Sequence, residues 1–232
     1  KTLTISAPLS YSHAGRLKAA NKTTGVTRTI TNESDVLSSE VLIKEQGEIG
    51  LLTRNVVVTS NYVKEGDQHH RAHVAYIHGG TGEARYTEFR DLGPRGILGR
   101  YPLHLHHLGN AATGFMIEGD AFWSSIKDPM NKCVAVHVSN GVTIRNTVGF
   151  NAQGTCYYLE DALEIGNIVE KNLGVHVVAP EELPNTTVAT RYGHDGTIGA
   201  IFWVREKNTF RNNVAAGGVG EVAGFWPTPN AN

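Results

Sequence analysis

Laying Gly141-Val142-Thr143-Ile144-Arg145-Asn146-Thr147-Val148 over Ala162-Leu163-Glu164-Ile165-Gly166-Asn167-Ile168-Val169 pairs apolar with apolar residues and Asn146 with Asn167, at an offset of 21 residues. The same offset sets Asn151 over Asn172. A looser copy returns at Asn208-Thr209-Phe210-Arg211-Asn212-Asn213-Val214, after an insertion around residues 174–196. Upstream, Gly114–Gly119 and Arg85–Asp91 fit the same template. A period just above twenty, holding one alternating strand and a recurrent Asn, is the mark of stacked coils rather than of a layered domain. The fold class this predicts is all-β, a right-handed parallel β-helix with coils about 4.8 Å apart, Val142 paired with Leu163 and Ile144 with Ile165, and asparagines laddered at a turn. An antiparallel sandwich also spaces its strands regularly, but it does not require the same residue at equivalent places in successive segments.

The residue mix agrees, with 26 glycines and few stretches at helical spacing. The expected domains are an N-terminal β segment over residues 1–50, including an alternating strand at Ser39–Ile43 and capping the first coil against open edges, and the helix proper over 51–232. Lys and Arg number 21 against 22 Asp and Glu, so no broad basic field exists for nucleic acid. No run of about 18 apolar residues offers a membrane span. The start at Lys1 without an initiator Met suggests a processed protein or an excised piece. Three sequons, at Asn21, Asn32 and Asn185, are candidate glycosylation sites and point to an extracellular location. Cys133 and Cys156 are read equally as two buried thiols or as one bridge.

The chemistry concentrates in Arg100-Tyr101-Pro102-Leu103-His104-Leu105-His106-His107. In a strand, alternate residues share a face, so Leu103 and Leu105 point inward and His104 and His106 outward together. In the next strand Val134, Val136 and Val138 take the inward parity and leave His137 outward beside His106. Carrying the offset of 21 forward places Tyr158 beside His137 and Glu160 beside Ser139, with Asp161 reaching the same site only if the chain bends there. Imidazoles with a carboxylate suit a divalent ion, zinc or another first-row metal rather than calcium; the plainer reading is a hydrogen-bonded His ladder. His69 and His70 fall in a polar loop, and His13, His176 and His194 have no partners at ligand spacing. Gly79-Gly80-Thr81-Gly82 lacks the Lys-Ser/Thr of a phosphate loop. Trp123, Trp203 and Trp226 are assigned to packing or coil capping.

Glu48–Val56, Gly96–His106, Cys133–His137, Cys156–Asp161, Asn172–Gly174 and Phe202-Trp203 with Asn213–Gly217, in this order, resemble the extracellular β-helix of the G8-domain family, which includes hyaluronan depolymerases and fibrocystin-like surface proteins. Residues 1–50 then correspond to the end of a G8-like region. The resemblance implies that His73 joins His104, His106, His137, Glu160 and Asp161 in the family's polar cluster, with Arg100 in the same motif. Leu103 stands where the family usually has Ile, Val138 where it often has Gly or a small polar residue, and Cys156 matches only some members. Two functions follow. One is a module of a cell-surface or surface-coat protein whose cluster binds a divalent metal and whose partners are neighbouring chains or an extracellular glycan. The other is a hydrolase or lyase acting on a uronate-containing polysaccharide, with Glu160 or Asp161 as general acid and Arg100 pairing with the uronate.

Overall fold

A computed structural model describes residues 50–60, 71–95, 97–125, 128–180 and 199–228, and in the leading part the strands Leu3–Ile5, Arg16–Ala20, Arg28–Ile30 and Ile43–Glu48. The chain divides into two compact units, Lys1–Leu51 and Leu52–Asn232. In the first, Leu3–Ile5 pairs with Arg28–Ile30 in parallel and Arg16–Ala20 with Ile43–Glu48 antiparallel. Of the expected strand at Ser39–Ile43 only Ile43 is described, as the first residue of the strand Ile43–Glu48; residues 39–42 lie outside the described ones. The sequons at Asn21, Asn32 and Asn185, and His13, His69, His70 and His194, also lie outside the described residues.

The second unit is a parallel β-helix of three main sheets, with a short parallel pair of Met130–Asn131 and Ala152–Gln153 at a corner. The first sheet stacks Glu83–Arg85, Met116–Glu118, Thr143–Arg145, Ile168–Glu170 and Thr209–Arg211; the second runs from Val56–Thr59 through Thr87–Arg90, Ala121–Trp123, Val148–Phe150 and Leu173–Val175 to Val214–Ala216. The third stacks Val74–Ile77, Leu103–Gly109, Val134–Ser139, Thr155–Leu159, Gly199–Arg205 and Val222–Thr228. Every pairing within these sheets is parallel. A parallel pair needs a long crossover, and here the strands of the other two sheets supply it. Apolar residues of alternate parity fill the lumen, among them Leu103, Leu105, Val134, Val136 and Ile144. Aromatic rings stack along it from coil to coil: Phe89 on Phe122, and Tyr157 on Phe202 on Phe225. Cys133 and Cys156 form a disulfide between adjacent coils, resolving the open alternative in favour of the bridge. A Cβ at Gly149 would overlap both sulfurs, so that position has room only for glycine.

The rung register corrects the offset of 21. Thr143 lies opposite Ile168 and Val148 opposite Leu173, and the Asn167 Oδ1 accepts from the Val142 N–H 25 residues earlier. Asn146 and Asn151 are therefore not ladder mates of Asn167 and Asn172. They occupy corners at φ 53° and 61°, a left-handed conformation that Asn tolerates, and their chemical likeness to the true ladder produces the false match. The ladders run Asn167 to Asn208 and Asn172 to Asn213. Each upper Oδ1 accepts the backbone N–H of the lower Asn at 3.0 Å. Each upper Nδ2 donates to a carbonyl of the coil below, Asn208 to Glu164 and Asn213 to Val169, both at 2.8 Å. Buried corner amides are thereby satisfied in every coil they span.

The pairing of Val142 with Leu163 and of Ile144 with Ile165 is overturned by the same shift. Leu163 and Ile165 are 52% and 44% exposed, while Glu164 between them is fully buried. Val138 leaves the inward set: it is half-buried at φ 44°, where the pairing of Val134–Ser139 with Leu103–Gly109 slips.

Candidate metal centre

The outer face of the third sheet carries the site. Register places His137 directly opposite His106, as the alternation of both strands predicts, and Ala135 opposite His104. Beyond His137 the strand Thr155–Leu159 continues the column, but shifted from the expected position: Tyr158 lies opposite Ala135, not His137. Glu160, whose N–H donates to the Val136 carbonyl at 3.0 Å, therefore arrives beside His137 rather than beside Ser139. The strand ends at Leu159, and the chain bends at Asp161. Both carboxylates consequently reach one imidazole, with Asp161 Oδ2 at 2.7 Å from His137 Nε2 and Glu160 Oε2 at 3.7 Å from His137 Nδ1.

His106 Nδ1 and His137 Nδ1 stand 3.0 Å apart. His104 is 2% exposed; its Nδ1 meets the Gly99 carbonyl at 2.8 Å. Its Nε2 is buried, 3.8 Å from Glu160 Oε2, and has no hydrogen-bond partner among the described residues. Burial lowers the His104 pKa to about 4, the Gly99 hydrogen bond opposing the shift and His106, His137 and His73 adding to it. Burial also lowers His106, helped by His137 and His107 and opposed by Asp161. Both imidazoles are thus neutral at pH 7, the form that ligates metals.

Among the described residues, two groups bring three ligand atoms within 4.8 Å of one another: His104, His106 and His137, and His107, His137 and Asp161. His73 belongs to neither. It is exposed just before Val74, and its pKa is lowered by burial and then by the charge of Arg100. Arg100 is likewise exposed, in the segment leading to Leu103.

His107 enters unpredicted. Strict alternation would turn it away from His106, but at φ 55° it sits in a bulge, its ring 4.4 Å from those of both His106 and His137. Glu164 is the second residue that alternation missed. Its buried Oε1 accepts the Val138 N–H at 2.9 Å and the Asp161 N–H at 3.0 Å, tying the bulge to the bend. A lone acid among the apolar residues of a rung was its only trace in the sequence. Arg205 is the third: its guanidinium donates to the carbonyls of Leu159 and Glu160 at 3.1 and 2.6 Å, and to Thr228 Oγ1 at 2.7 Å. The Tyr101 hydroxyl donates to Glu160 Oε1 at 3.3 Å.

Trp203 and Trp226, in the same sheet as the site, are packed, and Trp123 lies in the second sheet. Trp203, 2% exposed, clusters with Tyr101, Ala135, Tyr158 and Ala200, and Trp226 packs against them. The Trp123 indole N–H donates to Glu88 Oε1.

The profile of the CEMIP beta-helix family matches residues 70–231. The chain belongs to this family. A G8 domain-containing protein of Dictyostelium discoideum is 32% identical over 189 residues, covering 75% of this chain and 12% of the relative. Mouse fibrocystin-L is 33% identical over 147 residues, 63% of this chain and 3% of its own length. Human cell surface hyaluronidase CEMIP2 is 29% identical over 210 residues, 78% of this chain and 15% of the relative. The chain thus spans less than a fifth of each of these curated relatives. No solved structure matches it. No helix among the described residues is long and apolar enough to cross a membrane.

Proposed function

We propose that this chain is the β-helix module of a cell-surface protein and that His104, His106 and His137 hold a divalent first-row metal ion, zinc foremost. The observation that carries the reading is the buried His104 Nε2, without a hydrogen-bond partner among the described residues, on the same sheet face as the other two imidazoles. Leaving such a nitrogen without a partner costs about 1–3 kcal/mol, and coordination removes that cost. Three imidazoles at adjacent positions match the donor set zinc favours, and Glu160 flanks them at 3.7 and 3.8 Å. The extracellular location rests on the surface address in the name of the CEMIP2 relative and on the three sequons. Partners of such a module are neighbouring surface chains or an extracellular glycan.

Metal-free protein titrated with zinc is expected to bind it stoichiometrically and to gain about 2.7 kcal/mol of stability at a hundredfold excess over Kd. A His104→Ala/His106→Ala variant, and the milder His106→Gln, lose the gain. A chain that retains no zinc after equilibration at micromolar concentration overturns the reading.

A second reading is favoured by the convergence of Glu160 and Asp161 on His137 and by the hyaluronidase activity named for the CEMIP2 relative. In it the same face cleaves a uronate-containing polysaccharide: Arg100 meets the uronate carboxylate, Glu160 or Asp161 acts as general acid, and a histidine serves as base. Its test is viscometry of hyaluronan. A fall in viscosity that disappears in Glu160→Gln supports catalysis. No fall with hyaluronan or other uronate polymers leaves the module without this activity.

A further inference from the structure

We infer that the cluster is built for two metal ions bridged by the imidazole of His137. The inference rests on the metal reading above and extends it.

The two ring nitrogens of His137 face different donor sets. Nδ1 lies 3.0 Å from His106 Nδ1 and 3.7 Å from Glu160 Oε2, on the side toward His104. Nε2 lies 2.7 Å from Asp161 Oδ2, and His107 completes the outer group. Tetrahedral ligands about 2.0–2.1 Å from zinc stand roughly 3.3 Å apart, against 3.0 Å from His106 to His137 and 2.7 Å from His137 to Asp161, with the third ligand atom of each group within 4.8 Å of the other two. An inner ion takes His104 Nε2, His106 Nδ1 and His137 Nδ1, and an outer ion takes His137 Nε2, Asp161 and His107.

The local backbone is bent in the two places this arrangement needs. The bulge at φ 55° turns His107 onto the face of His106, and the chain bends at Asp161. Glu164 accepts from both Val138 and Asp161, so one buried carboxylate holds both features in place. In an ordinary ladder of outward histidines the alternation would send His107 to the opposite face.

Bridging requires His137 to ligate through both nitrogens, so its single N–H proton leaves to solvent. The two divalent ions then face three negative groups, the His137 imidazolate, Asp161 and the neighbouring Glu160, and the centre keeps one net positive charge. Such a centre is suited to an anionic ligand.

The test is metal stoichiometry and coupling on the full chain. Zinc-loaded, desalted wild type is expected to hold two ions per chain by elemental analysis. Asp161→Asn and His107→Asn, the latter keeping a residue that tolerates the left-handed backbone, each hold one. With copper(II) in place of zinc, the bridged pair loses paramagnetic resonance intensity through exchange coupling, and the intensity returns in Asp161→Asn. One ion in wild type overturns the bridge and leaves the metal reading standing; none overturns both. Two ions with full, uncoupled copper intensity overturn the bridge while keeping both sites.

Discussion

Glu164→Ala is expected to destabilise the chain by about 4 kcal/mol and to abolish zinc retention, although residue 164 is in neither group of clustered ligand atoms. Its Oε1 accepts two backbone N–H groups, those of Val138 and Asp161, and the side chain is fully buried. Truncation leaves both donors without an acceptor, at about 1–3 kcal/mol each, and opens a cavity in addition. The bulge then no longer holds His137 against His106, nor the bend Asp161 against His137. Glu164→Gln keeps an oxygen at the same place and is expected to cost about 1 kcal/mol and to retain zinc. Urea unfolding and zinc titration of the two variants check this. Equal losses in both would show that the carboxyl charge, rather than the doubly accepting oxygen, holds the two turns.

Asp120→Asn should act in the opposite direction, as a stabilising change whose size depends on pH. Thr87, Asp120, Thr147, Asn172 and Asn213 occupy equivalent positions in successive coils of the second sheet. Asn172 accepts from the Thr147 N–H at 3.0 Å and donates its Nδ2 to the Ile144 carbonyl at 3.0 Å. Asp120 reproduces the first half, accepting from the Thr87 N–H at 2.7 Å, but its buried Oδ2 has no hydrogen-bond partner among the described residues. Burial pushes its pKa up to about 7; the Thr87 hydrogen bond and Arg54 oppose the shift, and Glu118 adds to it.

The unfolded chain releases this proton above pH 3.8, whereas the folded chain keeps it until about pH 7. Between those values the folded state binds more protons, so the contribution of Asp120 to stability falls as pH rises and levels off above pH 7. An Asn there keeps the acceptor, places a donor toward the carbonyl of Ala84, and does not titrate. The stability of Asp120→Asn minus that of wild type should therefore grow with pH, by on the order of 4 kcal/mol between pH 4 and pH 8 at about 1.4 kcal/mol per unit. Thermal or urea unfolding across that range decides it, and a difference that does not vary with pH sinks the assignment.

The parts of the site that were legible before folding are those that depend on one strand at a time. His104 and His106 share a face because strand side chains alternate, and His137 meets His106 because Leu103-His104-Leu105-His106 and Val134-Ala135-Val136-His137 have the same apolar pattern. Glu160 was assigned to the right face but the wrong neighbour. The rung above His137 is longer than the 21 residues taken from the Asn matches, and the error of register passes straight to the side chain it positions. His107 and Glu164 were hidden because each depends on a departure from alternation, and the meeting of both carboxylates at His137 was legible only as conditional on a bend at Asp161.

Sequence alone therefore determined that the chain coils into stacked parallel strands, which residues line the lumen at Leu103, Leu105, Val134 and Val136, and that imidazoles gather on one outer face. The stacking follows from a repeat just above twenty residues, and the lumen and imidazole faces from the period of two that each strand carries within itself. Tertiary structure decided the lengths of the individual coils, the pairing of Cys133 with Cys156, the asparagine ladders, and the bulge and bend that complete the cluster of imidazoles and carboxylates. Corners in left-handed conformation absorb extra residues without disturbing the strands on either side, so neither the length of a coil nor the neighbour it brings is written in any local pattern.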